Sequence, residues 1–192
     1  MQVIGITGGI ASGKTSVSSY IRKKGFKVYD CDKIAHDVFA KKNVKNKIIA
    51  AFNLSEKEYT RSTVASIVFK DKEKLDTLNS IMKDEILLKM KEIIKGENGL
   101  IFFDVPLLYD WHLEDMFEKR VFVYVDKENQ IARLEKRDNI DKEFAINKIS
   151  AQIDIEEKKK IAEKNNDYII DNNQDEDALY QEVDKFLRRI IA

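Results

Sequence analysis

An eight-residue segment near the N-terminus carries the clearest chemistry in this sequence. It reads Gly8-Gly9-Ile10-Ala11-Ser12-Gly13-Lys14-Thr15 and matches G-x-x-x-x-G-K-[ST], the pattern of a phosphate-binding P-loop. Its glycines let the backbone turn several N–H groups towards one point, and a following helix would present its positive end there. Lys14 supplies a cation for the β- and γ-phosphates, and the Thr15 hydroxyl can coordinate Mg²⁺. The pattern therefore predicts a site for a nucleoside triphosphate.

The residues around this segment support that prediction. Residues 3–7 are mainly apolar and β-branched, as in a buried parallel strand, and Val17, Tyr20 and Ile21 recur at helical spacing. At average residue frequencies, a chance match is expected in about one chain in a hundred of this length. We therefore interpret the segment as a functional loop rather than an accidental glycine-rich turn.

Three aspartates follow predicted strands, at the edge where open α/β sheets bind their ligands. Asp30 and Asp32 lie at the end of a strand at 26–30, and Asp104 ends a strand at 100–104. Beside a P-loop, Asp32 can accept the proton of an attacking hydroxyl or hold Mg²⁺, and Asp104 matches the Mg²⁺-associated aspartate. The alternatives are solvated aspartates after the first strand and a turn cap after the second. We favour a functional role for Asp32, and both interpretations of Asp104 stay open.

Two arginines in a later helical segment can bind phosphate. Arg133 and Arg137 are four residues apart, so a helix places them on one face. Planar guanidinium groups suit the charge that spreads over a transferring phosphoryl group. The alternative is a solvated charged surface, which Glu135 and Lys136 favour. The charged run at 156–160 is interpreted as such a surface.

Hydrophobic patterning predicts how these residues are positioned. The predicted strands lie at residues 3–7, 26–30, 100–104, 121–125 and 168–171. Two long segments between them, 33–95 and 126–163, are mainly helical and are interpreted as insertions. An apolar stripe in the first consists of Leu75, Leu78, Met82, Ile86 and Met90. A closing helix has an apolar face formed by Leu179, Val183, Phe186, Leu187 and Ile190. Strands that alternate with helices predict an α/β fold with a parallel sheet covered on both faces.

The composition excludes several kinds of protein. Lys and Arg together number 34, as do Asp and Glu, so the formal net charge is zero. The sequence therefore lacks the net positive charge that would indicate a nucleic-acid partner. A single cysteine, Cys31, excludes an internal disulfide, and with only two histidines we do not expect a His/Cys zinc site. The apolar runs are too short to span a membrane, and the N-terminus does not match a signal peptide. We expect a cytoplasmic enzyme.

Several segments together resemble one family, dephospho-coenzyme A kinase. The P-loop at 6–15 is similar to its own, residues 29–36 resemble its D-x-D-x-I-A segment, and residues 105–110 resemble its V-P-L-L-[YF]-E segment. Further matches to its lid helix and C-terminal part lie at Gln130, Arg133, Leu134, Arg137, Asp138, Ala151-Gln152, Glu157-Lys158 and 168–172. The chain departs from the family pattern at Lys83-Asp84, Lys148 and Asn173-Gln174.

The resemblance implies ATP-dependent phosphorylation of the ribose 3′-hydroxyl of dephospho-coenzyme A, with Mg²⁺ as cofactor. It implies a P-loop NTPase core with a five-stranded, mainly parallel sheet, helices on both faces, a helical substrate-binding insertion and a helical lid. The core would comprise 1–32, 99–127 and 164–192, the coenzyme-binding insertion 33–98, and the lid 128–163. The expected partner is the small-molecule substrate, without nucleic acid or membrane, in a monomer or small homo-oligomer.

The resemblance also implies roles for individual residues. The catalytic residues would be Asp32, as the base, with Lys14 and Arg137 on the phosphates. The nucleotide-binding residues would be Gly8, Gly9, Ala11, Ser12, Gly13, Lys14, Thr15, Ser16, Arg133, Arg137 and Asn172. The substrate-binding residues would be Asp32, Arg61, Pro106 and Leu107, and the metal would be held by Thr15 and Asp104.

Two other functions fit a P-loop. One is another nucleoside or nucleotide kinase, which the P-L-L segment disfavours. The other is a GTPase-type switch, which reads guanine through N-K-x-D and needs a D-x-x-G segment. Here Asn147-Lys148 is followed by Ile149-Ser150, and no glycine has an aspartate three residues before it. The sequence therefore favours the kinase.

Overall fold

The computed structural model describes residues 1–68 and 71–191, and these form two compact units. The first contains Met1–Asp30 and the chain from Asn98 onwards, and the second is Cys31–Glu97. Within the described residues, all strands belong to the first unit, and the second is built from helices. The functional roles expected for the core, the insertion and the lid remain predictions.

The secondary structure alternates between strands and helices. The strands are β1 (Gln2–Gly8), β2 (Lys27–Asp30), β3 (Leu100–Asp104), β4 (Lys119–Tyr124) and β5 (Tyr168–Asp171). The helices are α1 (Lys14–Lys23), α2 (Cys31–Phe39), α3 (Lys42–Phe52), α4 (Arg61–Val68), α5 (Lys72–Gly96), α6 (Lys127–Asp138), α7 (Lys142–Ile149), α8 (Ile155–Lys164) and α9 (Glu176–Ile191).

The five strands form one sheet in the order β2-β3-β1-β4-β5, and every pairing is parallel. The predicted α/β fold with a five-stranded sheet is therefore confirmed. β4 begins at Lys119, two residues before the expected start, because the backbones of Lys119 and Arg120 pair with Ile4 and Gly5. Backbone pairing needs no apolar side chain, so hydrophobic patterning misses such a strand end. β1 lies between β3 and β4, and the P-loop consequently leaves the centre of the sheet.

One face of the sheet packs against α1 and α9. Val17 and Ile21 of α1 are fully buried, and all five apolar positions predicted for the closing helix are buried in α9. Their strand partners in this core cluster are Ile4, Ile6, Phe102, Val121, Val123 and Ile170. Because α1 is fixed through its apolar side, its N-terminus is held at the end of β1.

The opposite face is covered near its centre by the loop after β3. A methyl group on Gly5 would lie 2.7 Å from Leu108 Cδ1 and 3.0 Å from Phe117 Cγ, so the loop side chains occupy the space of a side chain on β1. The ring of Phe103 lies 6.2 Å from the ring of Phe117. This packing fixes the segment that carries the predicted substrate contacts.

A polar network anchors the same loop to β4 and to the start of β5. The Tyr109 hydroxyl donates to Asp167 Oδ2 at 2.7 Å, and Arg120 Nε donates to Asp167 Oδ1 at 2.6 Å. Arg120 Nη1 also donates to the backbone oxygens of Glu114 and Phe117. Burial and the Asp167 hydrogen bond raise the pKa of the Tyr109 hydroxyl far above its usual value. The hydroxyl therefore acts as a permanent donor.

The second predicted helical segment consists of three helices, α6, α7 and α8. Asp126, Asp141 and Asp154 precede α6, α7 and α8, and each carboxylate accepts a hydrogen bond from a backbone N–H of the first turn. Asn139, with φ 52°, ends α6 in the left-handed conformation. These caps satisfy backbone donors that a helix start leaves unpaired. They explain why the segment divides where it does.

The helical unit is organised around α5. Of its predicted stripe, Met82, Ile86 and Met90 are buried, and Leu75 and Leu78 are partly buried.

In the part of the chain that the structure describes, no helix combines the length and apolar character needed to cross a membrane.

We predict that Tyr109→Phe lowers the free energy of unfolding by about 1.5–3 kcal/mol, the usual worth of a hydrogen bond to a charged group. Tyr168→Phe is the matched control, because its hydroxyl lies 3.5 Å from Glu182 and makes only a long contact. That variant should lose less than about 1 kcal/mol. Urea denaturation measures both, and equal losses would contradict a structural role for the Asp167 network.

Candidate functional site

The P-loop backbone forms a cradle at the start of α1. Gly13, at the N-cap, has φ 91°, and Ala11 has φ 57°, so two residues take left-handed conformations. The Ser12 N–H bonds to Gly9 O at 3.2 Å and closes the loop. No side chain caps α1, and its first turn has no acidic residue. Its first N–H groups and its positive end are therefore suited to binding an anion.

Neighbouring side chains approach the P-loop glycines closely. A methyl group on Gly8 would lie 2.5 Å from Ser12 Oγ, and one on Gly9 would lie 2.6 Å from Ile155 Cδ1 and 2.8 Å from Gln130 Nε2. Among the described residues, the Ser12 hydroxyl and Gln130 Oε1 are buried without a hydrogen-bond partner. Unsatisfied buried polar atoms concentrated at one place are typical of a ligand site.

The P-loop lysine is held against the end of β3. Lys14 Nζ pairs with Asp104 Oδ1, and Ser18 Oγ donates to Asp104 Oδ2 at 2.7 Å. Asp104 is only 5% exposed, and the sheet register places it beside Ile6 of β1. Asp104 thus lies beside the P-loop lysine, and its expected role as a metal ligand remains a prediction. Thr15 and Ser16 follow in the first turn of α1.

Asp30 and Asp32 lie in different secondary-structure elements. Asp30 ends β2 and is in register with Asp104, whereas Cys31 already begins α2. Asp32 is an exposed residue in the first turn of that helix. Strand alternation therefore does not relate the two aspartates, because the strand has ended before Asp32.

In the helical unit, Arg61 is the first residue of α4. Its guanidinium carbon lies 5.6 Å from the centre of the Phe39 ring, which stacks on Tyr59 at 4.6 Å. In the first unit, Pro106 and Leu107 lie partly buried in the loop after β3. The substrate roles of these residues remain predictions.

The end of β5 and helix α6 hold the P-loop from outside. Asn172 Nδ2 donates to Ser12 O at 2.8 Å, and a methyl group on Gly13 would collide with it. Arg133 Nη2 donates to Asn172 O at 2.8 Å, and Gln130 Nε2 donates to Ile10 O at 2.9 Å. The sequence predicted Arg133 and Asn172 at the site. Gln130 appeared only as a family match, and its P-loop contact was not foreseen.

Arg137 lies one turn beyond Arg133 but in a different environment. Its side chain is 54% exposed and pairs with Asp138 at 2.8 Å, and Lys148 also pairs with Asp138 at 2.6 Å. These two cations hold the pKa of the Asp138 carboxyl well below its usual range. The structure thus brings Arg133 to the P-loop and places Arg137 at the surface of α6.

Sequence analysis missed one functional candidate. Lys158 belongs to the run interpreted as a charged surface, but it is fully buried and pairs with Asp110 at 2.7 Å. The signal was its spacing, since Ile155, Lys158 and Ala162 share the buried side of α8. Burial lowers the pKa of its ammonium group, Asp110 raises it, and the charge of Lys14 lowers it further.

Comparison with known proteins matches the chain over nearly its full length. Residues 2–177 match the family model described as dephospho-CoA kinase. A dephospho-CoA kinase of Fusobacterium nucleatum is 40% identical over 195 residues, covering 99% of this chain and 99% of that protein. The solved dephospho-CoA kinase from Campylobacter jejuni is 30% identical with a TM-score of 0.70, covering 98% and 96% of the two chains. A crystal structure from Thermus thermophilus has a TM-score of 0.84 at 27% identity, covering 100% and 98%.

We predict that Gly13→Ala abolishes measurable nucleotide binding, because the added methyl group collides with Asn172 and displaces the loop. Gly25→Ala is a matched control: Gly25 has φ 92°, and a methyl group there meets nothing within 4 Å. Both variants bear the left-handed strain of about 1–2 kcal/mol, but only the first changes the cradle. Calorimetric titration with ATP would separate them. Normal binding by Gly13→Ala would contradict the assigned cradle.

Proposed function

Because this chain belongs to the dephospho-CoA kinase family, we propose how its residues transfer a phosphoryl group from ATP to dephospho-CoA in the last step of CoA biosynthesis. The ribose 3′-hydroxyl attacks the γ-phosphorus, the bond to the β-phosphate oxygen breaks, and CoA and ADP form. One observation carries the assignment of the donor site. Lys14 lies at the start of α1, directly after the left-handed Gly13, and pairs with Asp104 at the end of β3.

Lys14 would exchange partners when ATP binds. The phosphate oxygens and Asp104 compete for the same ammonium group, and the N-terminus of α1 attracts the phosphates to it. Backbone N–H groups between Gly9 and Thr15 would then hold the triphosphate chain, whereas those of Ser12 and Ser16 already bond to Gly9 O and Gly13 O. Because these donors are fixed by the fold, they need little reorganisation as charge develops on the transferring group.

We infer that Mg²⁺ accompanies ATP and is held by Thr15 and Asp104. Hydroxyl and carboxylate oxygens are the donors that Mg²⁺ prefers, and the Asp104 carboxylate already lies at the P-loop through Lys14 and Ser18. These residues therefore fit the ion. When bound, Mg²⁺ neutralises charge on the β- and γ-phosphates. Departure of Lys14 towards the phosphates would release one oxygen of Asp104 for this role.

The acceptor hydroxyl needs a base and an orientation. Asp32, exposed at the start of α2, is proposed to accept its proton and align it for in-line attack. Arg61, with its guanidinium over Phe39, and the half-buried Pro106 and Leu107 are proposed to bind dephospho-CoA. An arginine presented on an aromatic ring suits the phosphate groups of this substrate.

Helices α6 to α8 are proposed to act as the lid. Arg133 is already fixed beside Gly13 through Asn172, so it is positioned for the phosphates in advance. Arg137 would reach the transferring group by leaving Asp138, a change that is cheap because exposed ion pairs contribute little. Closure over the phosphates would exclude water, which otherwise hydrolyses ATP.

The cellular setting is proposed from the same properties. Acidic and basic residues are equal in number, which supports a small-molecule substrate rather than a nucleic acid. We propose a cytoplasmic enzyme that is a monomer or a small homo-oligomer.

The function is tested by measuring ADP release with dephospho-CoA, adenosine and common nucleosides as competing acceptors. We expect phosphorylation of dephospho-CoA alone, and Lys14→Ala should reduce it by about 10²-fold or more, because a transition-state charge contact is lost. Faster phosphorylation of a nucleoside would indicate another kinase, and tight GTP binding without transfer would indicate a switch.

The assignment of the base predicts a graded effect of two substitutions. Asp32→Asn should bind both substrates nearly normally but lose about 10²–10⁴-fold in kcat, the usual contribution of a positioned base. Asp30→Asn, at the end of β2, should lose less. Steady-state kinetics across Mg²⁺ concentrations would decide the role. Rescue by extra Mg²⁺ would make Asp32 a metal-site residue, and a larger loss in Asp30→Asn would reverse the assignment.

A further inference from the structure

A buried lysine lies on the packed side of α8, outside the residues assigned above. Lys158 has no exposed surface, and its Nζ lies 2.7 Å from Asp110 Oδ2 and 3.3 Å from Gln152 Oε1. The other oxygen of Asp110 accepts the backbone N–H of Ile153 at 2.9 Å. Lys158 and Asp110 therefore tie the turn between α7 and α8 to the loop after β3.

The charge of this lysine is incompletely compensated. The ammonium group of Lys158 has three N–H donors. Its described contacts are an ion pair with Asp110 Oδ2, which receives no well-directed hydrogen bond, and one long hydrogen bond to Gln152. Buried ion pairs cost so much desolvation that apolar replacements are often neutral or stabilising. Stability alone therefore gives little reason for a charged pair at this position.

The position of the pair relates it to the P-loop. Asp104 and Asp110 lie on one segment, and their partners Lys14 and Lys158 come from the P-loop and from α8. The positive charge of Lys14 contributes to lowering the pKa of the Lys158 ammonium group, although burial is the main cause. One turn before Lys158, Ile155 occupies the space beside Gly9 that a side chain would take. The start of α8 thus forms part of the wall of the phosphate cradle.

We propose that Lys158 is a positioning residue for phosphoryl transfer, which fixes the start of α8 against Gly9 through Asp110 and supplies a buried positive charge near the P-loop. This inference deepens the proposed function and rests on it. A charge in a region of low dielectric acts on its neighbours more strongly than one in water. Its effect would grow as negative charge is redistributed over the phosphates during transfer. Loss of Lys158 should therefore reduce kcat more than it reduces binding of either substrate.

The test is the double variant Lys158→Met/Asp110→Asn, which removes both charges and keeps an oxygen for the Ile153 N–H. Its thermal unfolding should stay close to that of the wild type, because no uncompensated charge remains buried. Its kcat for dephospho-CoA should fall about tenfold to a hundredfold, the range for a small misplacement of reacting groups. The KM values for ATP and dephospho-CoA should change by less than about threefold, since the ground-state contacts of the P-loop remain.

The matched control is Lys127→Met/Asp154→Asn, which removes an ion pair of 2.8 Å on the same helical segment. That pair is exposed, and asparagine keeps the N-cap of α8, so kcat should change less than about twofold. Should the test variant unfold, Lys158→Gln/Asp110→Asn, which also removes both charges and lets the two amides hydrogen-bond to each other, is judged by the same kinetic criterion.

A wild-type kcat in the stable variant would overturn the positioning role, as would a raised KM for ATP with kcat unchanged. Failure of the wild-type enzyme itself to phosphorylate dephospho-CoA would instead refute the proposed function, so the two failures are distinguishable.

Discussion

The left-handed conformation of Gly13 is the constraint on which the rest of the site depends. At this residue the chain turns from the P-loop into α1, and Asn172 occupies the place where a side chain would lie. Asn172 holds the loop through Ser12 O, and Arg133 holds Asn172 in turn. The end of β5 and helix α6 are thereby positioned relative to a single peptide. A Cβ atom there would strain the turn and separate all three elements.

Two ion pairs near this turn involve one segment, which comprises the end of β3 and the loop that follows it. Asp104 ends β3 and pairs with Lys14, whereas Asp110, farther along the loop, pairs with the buried Lys158. Packing of the loop on Gly5 and the Asp167 network keep this segment rigid. Under the proposed function, the P-loop would therefore combine Lys14, which changes partners when ATP binds, with Lys158, which the fold holds in place. This arrangement depends on the packing of β3 and of α8.

The sequence predicts what depends on local pattern. The P-loop, the five strands and the buried side of α9 follow from residue types at fixed spacing, and the structure has them. Lys158 was misjudged because its neighbours in sequence are charged, while its burial depends on Asp110 from a distant loop. Likewise, the spacing of Arg133 and Arg137 says nothing of Asp138, which holds Arg137 at the surface. Contacts with residues distant in sequence decide whether such side chains are buried or exposed, and hydrophobic periodicity carries no information about these contacts.

The helical unit is also the crossover connection between the neighbouring parallel strands β2 and β3. β2 ends at Asp30, in register with Asp104, so the chain must return along the whole of β3 before Leu100 can start that strand. Four residue steps span about 13 Å, and a crossover needs about a dozen residues or more. The unit therefore cannot be deleted without another connection that spans this distance. Under the proposed function it carries Asp32 and Arg61, so its replacement would change the base and one acceptor contact and would leave the P-loop, Pro106 and Leu107 in place.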